Sequence, residues 1–249
     1  MTTDTLLLIA AEWIGIVALG MLAGLSPQLQ KVKPLQFLFP RREASITFSL
    51  NAVIFFFSII VYKYFFTIPT VFLGFNIEAG WQRIIIDLIA LLVIGAALVY
   101  RKQPFRSALW GKDALRPNVN FSLLIAAMII FIRAKISAIT NGVESIEGLA
   151  LLQFLMISLC ETTFFFGYSQ PRLSSRFGPT TGWLISAAFF TLWQVIPLSL
   201  HGAFGQDAIY QVLLATGYGL ITGWISRKSK HNLTPAIYLA LSQWLFLIK

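Results

Sequence analysis

Glu161 is the residue of this sequence whose type and position most clearly permit chemistry. It lies inside an apolar run and is followed by Thr-Thr-Phe-Phe-Phe-Gly. We place it about eight residues from the cytoplasmic end of a predicted membrane helix, which corresponds to a depth of roughly 12 Å. A carboxyl group at that depth must pair with another group, coordinate a ligand or hold a proton. We therefore expect a polar site around Glu161.

Four other ionisable residues lie in or beside predicted membrane helices, and each has an interfacial interpretation. Glu12 and Asp87 fall within about two turns of a helix end, so both can reach the interface. Arg133 and Lys135 can extend outward, because long aliphatic stems carry their charges to the headgroup region. Depth therefore distinguishes Glu161 from the other charged residues.

The histidines and the cysteine offer no candidate for metal binding or nucleophilic catalysis. His201 and His231 lie in loops predicted on opposite sides of the membrane, so they cannot share a metal ion. Cys160 has no histidine on its own segment to activate it, which favours a buried, unreactive thiol. We predict no bound metal and no cofactor.

The composition is that of a polytopic membrane protein. Of the 249 residues, 57% are hydrophobic and 12% are charged, and the mean hydropathy is +0.76. Eight apolar runs can each cross about 30 Å of hydrocarbon, and they are too long for barrel strands, so we predict an all-α protein with about eight transmembrane helices. The predicted spans are Thr5–Leu25, Ser45–Phe66, Ile84–Tyr100, Asn118–Ile136, Glu147–Tyr168, Thr181–Leu200, Asp207–Ser226 and Asn232–Ile248.

These spans are expected to form a single transmembrane domain over residues 1–249. Residues 1–136 supply four N-terminal helices, and residues 147–249 supply the C-terminal core helices. The first span lacks a basic leader and a cleavage site, so we expect it to be retained as a helix. Three glycines in the seventh span suit close approach of a neighbouring helix: Gly217, Gly219 and Gly223.

The basic residues predict the orientation in the membrane. The formal net charge is +9, and most cations fall in the loops after the first, third, fifth and seventh spans. Positively charged loops remain in the cytoplasm, so both termini should face outward. Topology and attraction to anionic lipid headgroups account for this asymmetry; docking of an acidic partner is the alternative, and nucleic-acid binding is not expected.

A short motif at Glu161 resembles the first motif of the CPBP family, the CAAX proteases and bacteriocin-processing enzymes. The family has two adjacent glutamates, three residues and then arginine, usually before glycine. In this sequence Glu161 stands at the first glutamate and Gly167 at the glycine. Thr162 replaces the second glutamate, and Phe166 replaces the arginine.

Two later motifs continue the resemblance, which covers the C-terminal third of the chain to Gln243. The second family motif is phenylalanine, three residues and histidine; Phe190 is kept, and Gln194 stands at the histidine. The third is histidine, three residues and asparagine; spacing from Pro235 places Leu239 and Gln243 at these positions.

The resemblance implies an intramembrane endopeptidase fold with degenerate catalytic motifs. In the family a glutamate and histidines activate water, and the arginine and asparagine aid positioning and oxyanion stabilisation. Such chemistry needs a base and donors aimed at the oxyanion. Glutamine has no useful basicity, and leucine and phenylalanine neither bind a proton nor donate a hydrogen bond. We therefore interpret the chain as a pseudoprotease.

The polar residues left around Glu161 have three interpretations. They form a neutral hydrogen-bonded cluster in the former active site, with Glu161 protonated or bonded to a glutamine amide; they line a ligand pocket; or they form a rearranged active site. We expect the cavity to open to the cytoplasmic half of the membrane. The residues are Glu161, Thr162, Thr163, Gln194, Ser242 and Gln243.

Three functions are compatible with a polytopic chain of this kind. The first is an accessory, scaffold or chaperone subunit that contacts membrane lipids and another integral membrane protein. The second is an active CAAX-type endopeptidase that uses Glu161 as its base. A transporter or channel is disfavoured, because the spans hold few charges and no inverted repeat. The expected location is a prokaryotic cell membrane, or an internal membrane derived from one.

Overall fold

The computed structural model describes residues 3–32, 35–66, 76–200 and 206–248, and this part of the chain forms helices and no β-strand. Two short helices are α2 (Pro27–Gln30) and α6 (Ile136–Thr140), and a π-helical segment, Thr162–Ser169, joins α7 to α8. The other helices are α1 (Thr3–Gly24), α3 (Pro40–Tyr64), α4 (Ile77–Tyr100), α5 (Leu115–Ile132), α7 (Ser145–Glu161), α8 (Gln170–Phe177), α9 (Pro179–Leu200), α10 (Gln206–Ser229) and α11 (Leu233–Trp244).

Each of the eight predicted spans corresponds to a helix or to one continuous helical segment. Within the described residues, six are long and apolar enough to cross a membrane: α1, α3, α4, α5, α9 and the segment Ser145–Phe177, which we call the central rod. The remaining two are α11, which has 12 residues, and α10, which carries more polar residues. The prediction of an all-α polytopic membrane protein is confirmed.

Two helix boundaries differ from the prediction. Helix α4 begins at Ile77, seven residues before the predicted start, because the side chain of Asn76 caps it by accepting the Glu78 N–H at 2.8 Å. The central rod continues to Phe177 although it contains Pro171. Proline lacks an N–H and its ring clashes with the carbonyl four residues earlier, and the π-helical turns before it absorb this mismatch.

The helices expose apolar side chains and bury polar ones, which is the pattern expected in lipid. Ile14, Leu92 and Phe131 are more than 70% exposed. The charged residues that are buried in the described part of the chain lie in ion pairs with one another, since the hydrocarbon offers no hydrogen-bonding partner.

The N-terminal helices pack around the C-terminal ones. Helix α1 contacts α10 and α5, α4 contacts the central rod, and α3 contacts α8 and α9. Close approach is visible at the glycines of α10: a Cβ on Gly217 would lie 1.9 Å from the Trp13 ring, and one on Gly219 would lie 3.2 Å from the Ala187 carbonyl oxygen. The packing interpretation of these glycines is confirmed.

The predicted cytoplasmic loops meet at one end of the helix bundle. The Asn232 N–H donates to the Leu109 carbonyl at 3.2 Å, and Lys230 Nζ donates to the Leu29 carbonyl at 3.1 Å. We call this the basic end, and it comprises residues 25–32, 35–39, 101–114, 170–179 and 227–232.

Candidate functional site

Glu161 lies at the end of α7 with both carboxylate oxygens occupied. Arg83 Nη2 donates to Oε1 at 2.6 Å, and Gln194 Nε2 lies 3.0 Å from Oε1 and 2.9 Å from Oε2. The residue is 1% exposed. The carboxyl group is therefore surrounded by protein donors. This agrees with the expectation that a carboxyl group deep in a membrane helix must pair with another group.

Arg83 is the centre of a larger polar cluster. Its Nε lies 3.3 Å from Asp87 Oδ2, and its Nη1 donates to the Tyr62 hydroxyl at 3.3 Å. The indole N–H of Trp193 donates to Asp87 Oδ1 at 3.0 Å. We call this set the Arg83 cluster, and it comprises Tyr62, Arg83, Asp87, Glu161, Trp193 and Gln194.

The relative positions of α4 and α7 bring Arg83 to Glu161. Gln153 Nε2 donates to the Ile77 carbonyl at 3.1 Å, which sets these two parallel helices in register. From that contact Arg83 is about 9 Å and Glu161 about 12 Å further along the helices. The cluster thus joins α3 and α4 of the N-terminal half to α7 and α9.

The interfacial interpretation of Asp87 was wrong, and Arg83, which precedes the predicted span Ile84–Tyr100, is internal as well. Asp87 is 2% and Arg83 4% exposed, and both lie inside α4. The sequence did hold one signal: an acid four residues after an arginine, at the start of an apolar run, permits an ion pair along one helix face.

The position of Glu161 along its helix also differs from the prediction. Because the rod continues past Pro171, Glu161 lies midway between Ser145 and Phe177. This places it sixteen residues from the basic end of the rod, or about 24 Å, and not about 12 Å. Gln194 lies near the opposite end of α9, six residues before Leu200.

The two motif positions after Glu161 serve helix geometry and core packing. The Thr162 hydroxyl donates to the Ser158 carbonyl at 2.6 Å within its own helix. Thr163 does the same with Leu159 and also accepts the Trp110 indole N–H at 3.1 Å. The Phe166 ring is fully buried and lies 5.6 Å from the Phe190 ring.

The later motif positions divide between two regions. Gln194 joins Glu161, and Phe190 packs beneath it among the aromatic rings. Leu239 and Gln243 are buried on α11 at 0% and 6% exposure, but the hydrogen bonds of Glu161 go to Arg83 and Gln194 and not to α11.

Ser242 belongs to a second buried ion-pair cluster that the sequence reasoning did not foresee. Arg133 Nε donates to Glu12 Oε2 at 2.8 Å, and the Ser242 hydroxyl donates to Glu12 Oε1. The Ser242 and Tyr218 hydroxyls lie 3.0 Å apart. Glu12 and Arg133 are 0% and 6% exposed, so their interfacial interpretation was wrong: each is the partner that lets the other be buried.

A third buried arginine, Arg172, lies in α8 near the basic end. Its Nε lies 3.2 Å from Glu43 Oε2, and its Nη1 donates to the Ser107 and Tyr168 carbonyls. Its Nη2 donates to Gln103 Oε1 at 2.6 Å and to the Ser107 hydroxyl. Arg172 was expected in a loop, and the continuation of the rod past Pro171 is the reason that it is internal.

In the described part of the chain, His231 and Cys160 are both buried. His231 is buried, its Nδ1 accepts the Leu233 N–H at 3.0 Å, and burial lowers the pKa of its imidazole. Cys160 is a buried free thiol. His201 lies outside the described residues. Among the described residues, no group of three His, Cys, Asp or Glu side chains could hold a metal ion.

Comparison with protein-family models gives one match. Residues 145–244 match the model described as type II CAAX prenyl endopeptidase Rce1-like. The matched segment contains α7 to α11 and every motif position that the sequence analysis named. Comparison with curated proteins and with solved structures gives no match.

Proposed function

We propose that the chain is a non-catalytic member of the CPBP family of CAAX-type membrane proteases, to whose Rce1-like model residues 145–244 are similar. In this proposal it acts as an accessory, scaffold or chaperone subunit for another integral membrane protein. The alternative is an active endopeptidase with Glu161 as its base.

The environment of Glu161 is the observation that carries the proposal. A general base needs a lone pair directed at a water molecule that can approach the substrate. Both oxygens of Glu161 instead accept hydrogen bonds, Oε1 from Arg83 and Gln194 and Oε2 from Gln194, and the residue is 1% exposed. The side chains at the family's arginine and histidine positions, Phe166 and Gln194, supply neither a cation nor a base.

The Arg83 cluster holds more acidic side chains than cations, and this difference allows the proposal to be tested by substitution. Two acidic side chains, Asp87 and Glu161, share the single guanidinium of Arg83. Replacing Glu161 with glutamine keeps the Arg83–Asp87 pair and keeps an oxygen that can accept from Arg83. Replacing Arg83 leaves both acids buried without a cation, which costs about 3–5 kcal/mol when a buried pair is broken.

We therefore expect the protein to fold normally with Glu161→Gln and to lose its fold with Arg83→Gln. Glu161→Gln should reach wild-type levels in the membrane, melt within about 1 kcal/mol of wild type and replace the wild-type protein in cells. Arg83→Gln should lose most of the folded protein, measured as the monodisperse fraction after detergent extraction. Arg42→Gln, which changes an exposed arginine, is the control and should match wild type.

The active-endopeptidase alternative makes the opposite prediction for Glu161. A folded Glu161→Gln protein that cannot replace wild type in cells would show that the carboxylate itself is required, and the scaffold proposal would then be wrong.

We also propose the finer location that the sequence suggested. The basic end faces the cytoplasm, and both termini face outward, in a prokaryotic cell membrane or one derived from it. The asymmetry of the loop cations supports this orientation. Residues 1–136 are proposed to act with the core helices as one domain, which the contacts of α1, α3 and α4 with the C-terminal helices support.

A further inference from the structure

A cavity of about 300 Å³ lies at the basic end and is lined by residues of α8, of α10 and of the connection after α4. Its apolar lining includes Leu109, Phe166 and Pro171. No member of the Arg83 cluster lines the cavity, so it is separate from the Glu161 site. Its volume is that of a small ligand pocket.

Gln170 gives the cavity a hydrogen-bond acceptor that the protein leaves unsatisfied. The residue lines the cavity and is 3% exposed. Its Nε2 donates to the Gly223 carbonyl at 3.1 Å, which fixes the amide orientation because the opposite one would place two oxygens together. Its Oε1 is buried and accepts no hydrogen bond from the described residues. Since an unpaired buried acceptor is costly, this oxygen points to a donor on a bound molecule.

The cationic side chains that line the cavity have contacts of their own. Lys230 Nζ donates to two backbone carbonyls at 3.1 and 2.5 Å. The Arg227 guanidinium lies 5.6 Å from the centre of the Trp183 ring, and Arg106 also has an interaction partner. The unmet requirement of the cavity is therefore a donor for Gln170 and not a counter-ion. Neighbouring positive charges repel an ammonium group, so the donor is an uncharged one.

Ser174 distinguishes a hydroxyl group from an amide N–H as that donor. Its own hydroxyl lines the same cavity and can donate a hydrogen bond. A ligand hydroxyl can donate to Gln170 Oε1 and accept from Ser174, whereas an amide N–H can only donate. The apolar lining selects a molecule whose hydroxyl is attached to an apolar body.

We propose that this cavity binds the polar end of an uncharged lipid alcohol, such as a diacylglycerol. The free hydroxyl of the lipid donates to Gln170 Oε1, and the ester-linked end of the molecule lies against Phe166 and Pro171. A lipid of this kind is supplied by the membrane in which the helices lie. The proposal is independent of whether the protein is catalytic.

The test measures binding of radiolabelled dioleoylglycerol to the full chain in a neutral detergent by scintillation proximity. The competitors are unlabelled dioleoylglycerol, its acetyl ester, in which the hydroxyl is capped, and oleate, which is anionic and has no hydroxyl. Gln170→Met removes the buried acceptor. The matched control, Gln36→Met, changes an exposed glutamine at the same end of the bundle that does not line the cavity.

We expect dioleoylglycerol to compete about ten-fold more strongly than its acetyl ester, because capping the hydroxyl leaves the buried acceptor unpaired. Gln170→Met should abolish this difference, and Gln36→Met should keep it. Equal competition by the two lipids on the wild-type protein, or no saturable binding, would overturn the proposal whatever the stability of the variants. Displacement by oleate at the concentration of dioleoylglycerol would show that the cavity selects charge, and it would overturn the proposal as well.

Discussion

Arg172 uses all five of its N–H donors although its side chain is completely buried. Its acceptors come from α3, from the residues after α4 and from the central rod, so one side chain ties three parts of the chain together. The guanidinium fork allows this because its donors point in fixed, divergent directions. A buried charge with every donor satisfied is compatible with a stable fold.

Replacing Arg172 with lysine should therefore destabilise the protein strongly. An ammonium has three donors and cannot serve five acceptors, so at least two acceptors lose their partner. We expect a loss of about 3 kcal/mol, since a hydrogen bond to a charged group contributes roughly 1.5–3 kcal/mol, measured as a lower thermal midpoint in detergent. Arg176→Lys, one turn later in the same helix and exposed, should change the midpoint little; equal effects of the two variants would contradict this account.

At the residue scale, the sequence predicted that a buried charged residue needs a partner, but it did not predict which residue that partner is. The depth of Glu161 required pairing, and Gln194, named from motif spacing, is one of its partners. Arg83 could not be foreseen, because the contact joins residues 78 positions apart and depends on the register between α4 and α7. Glu12 and Arg133 show the same limitation, since neither charge alone reveals that the other lies beside it.

At the scale of the elements, the central rod depends on close contacts at the π-helical segment. A Cβ on Gly167 would lie 2.2 Å from Asn232 Nδ2, so this position requires glycine. Asn232 in turn donates to the Ala108 carbonyl at 2.6 Å. The π-helical turns thus let the rod pass Pro171 and hold the connections after α4 and α10 against it.

The contact between α1 and α10 gives a prediction about helix packing. Gly217→Ala places a methyl group against the Trp13 ring and should destabilise the protein by about 1–3 kcal/mol, the usual cost of overpacking. Thermal unfolding in detergent measures this loss. Trp13→Phe should restore part of it, because the smaller ring leaves room.

Gly95→Ala is the matched control for this prediction. A Cβ at Gly95 meets no atom within 4 Å, and alanine favours a helix over glycine by about 1 kcal/mol. We expect Gly95→Ala to be neutral or stabilising. Comparable destabilisation at both glycines would show that the Gly217–Trp13 contact does not limit packing.

Helix existence was more predictable than helix ends. Hydrophobic length was sufficient to find eight helical segments, because the hydrocarbon imposes a minimum number of apolar residues, and six of them in the described part of the chain are long and apolar enough to cross a membrane. The start of α4 was missed because Glu78 and Arg83 resembled loop residues, although Asn76 caps the helix before them. The end of the rod was missed because proline usually ends a helix, and a local change of helix type cannot be read from residue type alone.

At the scale of the whole molecule, the helix bundle has one strongly basic end. The connections after α1, α4 and α10 meet there, although the sequence treated them only as separate loops on one side. Their meeting creates the 300 Å³ cavity lined by Arg106, Arg227 and Lys230. The positive charge of the loops predicted that they lie on the same side of the membrane, but only the packing of the helices brings these residues together.

The proposed orientation predicts which exposed positions react with a membrane-impermeant thiol reagent. In a Cys160→Ser background, Asn141→Cys lies on the opposite side from the basic end and should be labelled in intact cells. Lys112→Cys lies at the basic end and should be labelled only after permeabilisation. Both positions are exposed, so reversed labelling would show that the basic end faces outward.

In its proposed role the chain is a structural partner of another membrane protein. The most direct measurement is extraction of the native protein in a mild detergent, followed by mass determination and identification of every co-purifying chain. We predict one integral membrane protein at fixed stoichiometry, retained by Glu161→Gln because this variant keeps the Arg83–Asp87 ion pair. A solitary monomer in wild type would contradict the claim and direct attention to cleavage by the Glu161 site.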